Sequence, residues 1–210
     1  MRAKPTSSFK YTNNSENNGE KQPDYVIKKQ LLYIWGEKIR VFNYHSELIA
    51  LTHALPLKLK EKLKIYSDGA RQHHIATVSA AKIFDFNATL TITEPNEKTI
   101  LSTMQRKGLA SELWRDQWLI LDSKGSQLAS LVEDNVKMGL IRRFALPFLP
   151  QTYHLLDSNG KSLLTIHQQW LPWLLRYKVY VTNKQRLTKL LPQKTLLAIF
   201  TTLATIEGRQ

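Results

Sequence analysis

The sequence predicts a mainly β protein, an antiparallel β-barrel with a C-terminal hydrophobic helix as its core plug. Three observations carry that expectation. Short segments with a two-residue period recur along the chain, a strand-turn-strand unit is repeated, and one late segment is apolar all the way round.

The period-two segments come first. In Leu55-Pro-Leu-Lys-Leu-Lys-Glu-Lys-Leu-Lys-Ile-Tyr-Ser-Asp68, a helix would scatter Leu57, Leu59, Leu63 and Ile65 around its cylinder. A strand puts them on one face and Lys58, Lys60, Lys62 and Lys64 on the other. Glu61 alone interrupts the apolar row, which suggests an edge, a bulge or a sheet end. The same alternation reads as strands at 88–93 (ATLTIT), 118–122 (WLILD), 152–157 (TYHLLD) and 176–181 (RYKVYV). Spacing of these segments gives about eleven strands between Tyr25 and Val181.

The repeat fixes how strands are joined. WLILDSKGSQLASL from Trp118 matches YHLLDSNGKSLLTI from Tyr153, with Asp122 over Asp157 and Gly125 over Gly160. In such a tetrad the Asp carboxylate accepts from amides at the start of the turn, and Gly takes the positive φ that returns the chain. Looser copies place Asn43 with Ser46, and Glu94 with Glu97. Repeated hairpins along one chain argue an antiparallel sheet.

The last element is different. After TNKQRLTKLLP, the stretch QKTLLAIFTTLATIEGRQ reads as a helix over about 193–206, with Pro192 suited to a first helical position and Gly208 to a stop. Leu196, Leu197, Ala198, Ile199, Phe200, Leu203, Ala204 and Ile206 leave it almost no polar face. Threonines 201, 202 and 205 can return their hydroxyls to the helix's own carbonyls. A helix of this kind belongs inside something.

Composition bounds the function. The 210 residues are 42% hydrophobic and 22% charged, a normal globular balance for one domain plus a tail. Residues 1–23 are rich in Asn, Ser, Lys and Glu, hold no apolar run of signal-peptide length, and read as a disordered polar and basic tail before a domain at 24–210. The run 196–206 is shorter than the roughly 20 apolar residues a spanning helix needs, so a cytoplasmic chain without a transmembrane segment is expected. With no cysteine there is no disulfide, thiolate metal site or cysteine nucleophile. The net charge of +13 favours anionic partners, phosphate backbones or acidic lipid.

Chemistry-bearing motifs are few. Histidines 45, 53, 73, 74, 154 and 167 lack metal-ligand spacing, and adjacent His73 and His74 point to opposite faces of a strand. No Gly-x-Ser-x-Gly occurs, Ser111 has no local histidine, and Asp85 lies between Phe84 and Phe86. No paired carboxylates, triad or phosphate loop can be assembled, so neither an enzyme nor a cofactor is expected. Trp114, Trp118, Trp170 and Trp173 suit a membrane belt or a base-stacking platform, with core packing the plainer reading for most of them.

The basic residues remain. Lys58, Lys60, Lys62 and Lys64 form a face worth on the order of 1 kcal/mol per lysine beside an anionic leaflet. The competing reading is a solvated face that keeps an edge strand from pairing. Arg142 and Arg143 suit bidentate phosphate contacts, or equally ion pairs with Glu133, Asp134 or Asp116.

Taken in order, YVIKKQLL, AKIFDF, LSTMQRKGLASELWRDQWLILDSKG, GLIRRFALP, YHLLDSNGKSLLTI, RYKVYV and the terminal helix resemble the tubby-like superfamily, in its LURP-one-related and phospholipid-scramblase-like branch. The resemblance spans about residues 25–206 and implies a closed twelve-stranded barrel around a buried helix, with a surface that touches membranes. The chain departs from the scramblases: it has no cysteine cluster for acylation and no calcium-loop spacing, so scrambling is not implied. The resulting expectation is a non-enzymatic module at the cytoplasmic face of an anionic membrane, with Lys58, Lys60, Lys62, Lys64, Arg142 and Arg143 as headgroup contacts. A protein-interaction scaffold is the first alternative. Nucleic-acid binding driven by the same charge ranks below it.

Overall fold

In a computed structural model, residues 21–30, 37–54, 62–80, 88–107, 117–134, 150–171 and 174–207 are described. The strands are β1 (Tyr25–Gln30), β2 (Glu37–Asn43), β3 (Leu48–Ala54), β4 (Leu63–Tyr66), β5 (His74–Ala80) and β6 (Thr89–Thr93). They continue as β7 (Ile100–Arg106), β8 (Gln117–Leu121), β9 (Gln127–Glu133), β10 (Thr152–Asp157), β11 (Ser162–Leu171) and β12 (Leu174–Val181). Two helices follow, α1 (Lys184–Leu190) and α2 (Gln193–Glu207).

Each strand pairs antiparallel with its sequence neighbours, and β1 pairs with β12, so the sheet closes into a twelve-stranded barrel. Closure corrects one expectation. A closed sheet has no free edge, so outward lysines have no edge to protect. The period-two segments are strands as expected; in the 55–68 segment, strand covers Leu63–Tyr66 among the described residues 62–68, and residues 55–61 lie outside the described ones.

Alternation decides what faces inward. Along β1, Ile27 and Lys29 are buried while Val26, Lys28 and Gln30 are partly exposed; β12 buries Leu175, Tyr177 and Val179 and turns out Arg176 and Lys178. The inward set of every strand merges with α2 into one core, where Leu196 to Phe200 and Leu203 are at most 3% exposed. α2 runs closest to β1, β2, β3 and β5. That wall turns in Ile27, Ile39, Val41, Ala50, Ala76 and Val78, and Met104, Trp118, Tyr153, Leu155 and Tyr177 come in from the other strands to complete the core.

The hairpin turns share one backbone device. Among the described residues five have positive φ: Ser46, Arg71, Glu97, Gly125 and Gly160. Each donates its amide to the carbonyl three residues earlier, on Asn43, Asp68, Glu94, Asp122 and Asp157. Side chains reinforce four of the five from that first position. Asp122 Oδ1 accepts from Lys124 and Ser126, Asp157 Oδ1 from Asn159 and Lys161, and Asn43 Oδ1 from His45 and Glu47. Asp68 accepts from Gln72 and His73. In the fifth turn the acceptor is Asn96 rather than Glu94, and Glu94 pairs instead with Lys194.

Alternating direction puts all five turns at one end of the barrel, together with the start of β1 and the end of β12. α2 enters from that end. Lys194 pairs with Glu94 at 2.9 Å, Phe200 meets the Tyr25 ring at 5.5 Å, and Lys29 reaches Ala204 further in. Between β1 and β2, β3 and β4, β5 and β6, β7 and β8, β9 and β10, and β11 and β12, all or most of the joining residues lie outside the described ones.

α1 is an addition to the sequence reading. Seven residues with one buried apolar side chain, Leu187, give little periodic signal, and the helix is held instead by its ends. Asn183 accepts from the Arg186 amide at 3.0 Å, and Arg186 pairs with Asp157 at 2.6 Å. α2 starts at Gln193, with the Pro192 carbonyl taking the Leu196 amide one position before the expected start; Gly208 is outside the described residues.

Candidate anion-binding face

Of the six residues expected to contact headgroups, Lys58, Lys60, Arg142 and Arg143 lie outside the described residues. Lys62 precedes β4 and is ion-paired with Glu97, which leaves its side chain about half exposed. The hydrogen bond from Lys62 is the main reason the Glu97 carboxyl sits below the usual carboxylate range, with the charges of Lys62, Lys64 and His74 adding to it against partial desolvation. Lys64 is exposed on β4, flanked by inward Ile65, as the alternation requires. The two lysines therefore differ: one is neutralised locally, the other is not.

Register assembles a stronger basic group, from strands far apart in sequence. On the outer face of the sheet, Lys28 on β1 lies opposite Arg176 on β12 and opposite Arg40 on β2. Three cations thus follow one another across three strands. In the next ladder positions Lys178 pairs with Val26 on one side, while on the other Gln30 pairs with Lys38, and Lys38 with His53 on β3. Neighbouring strands are about 4.8 Å apart, so Arg176 to Arg40 spans roughly 10 Å of surface. Strands β11, β12, β1, β2 and β3 contain one acidic residue, Glu37, whose register partner is Ala54.

Like charges directly opposite each other destabilise a sheet. Partial relief is visible: the Lys28 ammonium rests over the Phe42 ring, 4.8 Å from its centre. Arg176 retains a buried Nε without a hydrogen-bond partner. No carboxylate of the described residues pairs with Lys28, Lys38, Arg40 or Arg176. The field is also felt by His53. Burial, then the charges of Arg71, Lys38 and Arg40, push its imidazole below the ordinary histidine range. An oxyanion laid across Arg176, Lys28 and Arg40 would meet guanidinium and ammonium groups that no carboxylate among the described residues pairs.

The turn end has a different character. Its lysines and arginines are interleaved with acids, as in Lys194 with Glu94 and Arg186 with Asp157. Charge is therefore balanced there and unbalanced on the β12–β1–β2 face.

Other polar clusters tie strands together. Asp134 lies 3.4 Å from His154 Nε2, whose Nδ1 is 3.2 Å from Thr165 Oγ1; His167 likewise meets Thr152 at 3.1 Å and the Tyr180 ring edge-on. These pairs join β9, β10, β11 and β12 on the outer surface. Adjacent His73 and His74 diverge as expected: the first turns to Asp68, the second to Ala76 and Thr77. Among the described residues no three His, Asp or Glu side chains come together as a metal site. Trp118 packs in the core, as the plainer reading of the tryptophans had it. No helix among the described residues is long and apolar enough to cross a membrane.

Sequence reasoning missed Lys28, Lys38, Arg40, Arg176 and Lys178 as a group. Each stands at an alternate position of its own strand, which is a readable signal, but only the pairing of β12 with β1 and β1 with β2 sets them side by side. Comparison with protein-family models, with curated proteins and with solved structures finds no match to this chain.

Proposed function

We propose that this chain is a non-enzymatic module that docks peripherally on anionic phospholipid at the cytoplasmic face of a membrane, using the outer face of β12, β1 and β2. The observation that carries the reading is the row Arg176, Lys28 and Arg40, set opposite one another with no described carboxylate to pair them. At about 1 kcal/mol per cation near an anionic surface, three such residues give about 3 kcal/mol, and Lys38 extends it. Association of that size is weak, reversible and sensitive to salt. Lys64 borders the face, and Lys58, Lys60, Arg142 and Arg143 remain candidate contacts. A barrel around a buried helix also accords with the resemblance to tubby-like and LURP-one-related proteins, although a shared fold alone carries no activity.

Flotation of the full chain with phosphatidylcholine vesicles of rising phosphatidylglycerol content tests the reading. Flotation that grows with the anionic fraction, falls with salt and resists competition by short duplex DNA is the expected result. Efficient competition by DNA would transfer the face to nucleic acid. No flotation even at low salt would end the membrane reading and favour a protein partner.

A further inference from the structure

The basic face contains a titrating residue where an added proton would matter most. His53 stands on the outer side of β3, directly opposite Lys38, and Arg40 holds the neighbouring ladder position opposite Leu51. Arg71 belongs to the β4–β5 turn, where a Cβ at Gly69 would sit 3.7 Å from Leu48 Cδ2 at the start of β3, five residues before His53. Arg71 adopts φ 62°, a left-handed backbone unusual for a side chain of its size. On β4, Lys64 precedes Ile65, the partner of Thr52, and so flanks His53 from the other side. Among the described residues, two acids lie in neighbouring segments. Asp68 accepts from the amides of Gln72 and His73 and from the His73 ring, and Glu37 pairs with Ala54 in a register position that alternates with Lys38.

We propose that His53, Lys38 and Arg40 form an anion subsite that tightens as the solution becomes acid, and that it takes oxyanion groups of fixed charge, such as a phosphodiester headgroup or sulfate. The inference rests on the basic face described above and adds its regulation. With the site empty, burial, then the charges of Arg71, Lys38 and Arg40, lower the imidazole pKa. An oxyanion held by Lys38 and Arg40 offsets their charge and favours the protonated ring. Linkage then requires the converse: protonation of His53 strengthens anion binding by the same factor, at most tenfold for each unit by which the anion raises the imidazole pKa. A phosphomonoester would blunt the effect, because it takes up a proton of its own near pH 6.

Two readouts separate this subsite from the membrane reading. The first is co-sedimentation of the full chain with phosphatidylglycerol-containing vesicles at about pH 7.5 and about pH 5, a window that spans the ordinary histidine range. Wild type should bind several-fold more tightly in acid. His53→Gln should lose that increment while keeping its binding at the higher pH, and His53→Lys should bind tightly at both. The second is titration of the His53 ring by NMR with and without sulfate, which should raise its pKa. Sulfate raising the pKa without vesicle binding would keep the subsite and overturn the membrane reading. Vesicle binding whose pH dependence is unchanged in His53→Gln would overturn the subsite and leave the membrane reading standing. A His53 titration indifferent to sulfate would overturn the subsite as well.

Discussion

The ammonium of Lys29, fully buried inside the barrel, donates to the carbonyl of Ala204 at 3.0 Å, joining the first strand to the last turns of the last helix. Carbonyls near a helix C-terminus lack intrahelical partners and carry the negative end of the helix dipole. A cation there offsets both deficits, and the stem of the lysine packs among core side chains. The contact closes the fold across almost the whole length of the chain.

Lys29→Ala should therefore lower unfolding free energy by about 2–5 kcal/mol, because it opens a void and frees the Ala204 carbonyl together. Lys29→Met should cost less than the alanine variant, since it refills the space and leaves the carbonyl unpaired. Urea unfolding of the three proteins checks both. A methionine variant more stable than wild type would show that the buried charge is tolerated rather than used.

The carboxyl of Asp157 is subject to opposing forces. Burial pushes it up, but the amides of Lys161 and Asn159 and the Arg186 guanidinium outweigh burial and hold it below the ordinary aspartate range. The sign follows from linkage: its contribution is complete above the unfolded-state pKa and is lost as pH falls through the lower folded value. Wild type should thus lose more stability than Asp157→Asn in the acid range below about pH 4. Denaturant unfolding across that range measures the difference. Equal acid sensitivity in the two proteins would remove Asp157 and Arg186 from the account of how α1 is held.

Backbone handedness at the turns predicts opposite outcomes at two kinds of site. Gly125→Ala and Gly160→Ala meet no neighbouring atom within 4 Å, so their cost should be conformational alone, about 1 kcal/mol each. Ser46→Gly should instead be neutral or stabilising, by up to about 0.5 kcal/mol, since Ser46 already adopts φ 62°. Thermal unfolding resolves these shifts. A strongly destabilised Ser46→Gly would mean that the hydroxyl, not the backbone, matters at that turn.

The parts of this fold that were legible in the sequence are those set by local chemistry. Asp122 with Gly125 and Asp157 with Gly160 announce their turns because an acceptor and a glycine stand at the required spacing. Asp68 with Arg71 does not, since Gly69 stands where a glycine turn would be read and the positive φ falls on an arginine two residues later. The apolar girdle of α2 was readable for the same local reason, whereas α1 depends on Asn183 and on the distant Asp157. The basic face is non-local in the same way. Lys28, Arg40 and Arg176 each look like an ordinary outward residue until closure of β12 onto β1 stacks their charges. The lysine row at 58–64 looked stronger in sequence because its members are near neighbours, yet Lys62 is matched by Glu97.

Placing three cations in one ladder costs the sheet stability, a few tenths of a kcal/mol or more for each like-charged pair. Lys28→Gln, Arg40→Gln and Arg176→Gln combined should therefore leave the melting temperature unchanged or raise it slightly. A fall of several degrees would show that these side chains support the barrel rather than a ligand.

That same triple variant provides the most direct test of the central claim, by flotation with phosphatidylglycerol vesicles at low salt beside wild type and a Lys62→Gln, Lys64→Gln control. The account predicts that wild type and the control float and that the triple variant, folded and no less stable, does not. Flotation of the triple variant equal to wild type would contradict it, and would move any membrane contact away from the β12–β1–β2 face.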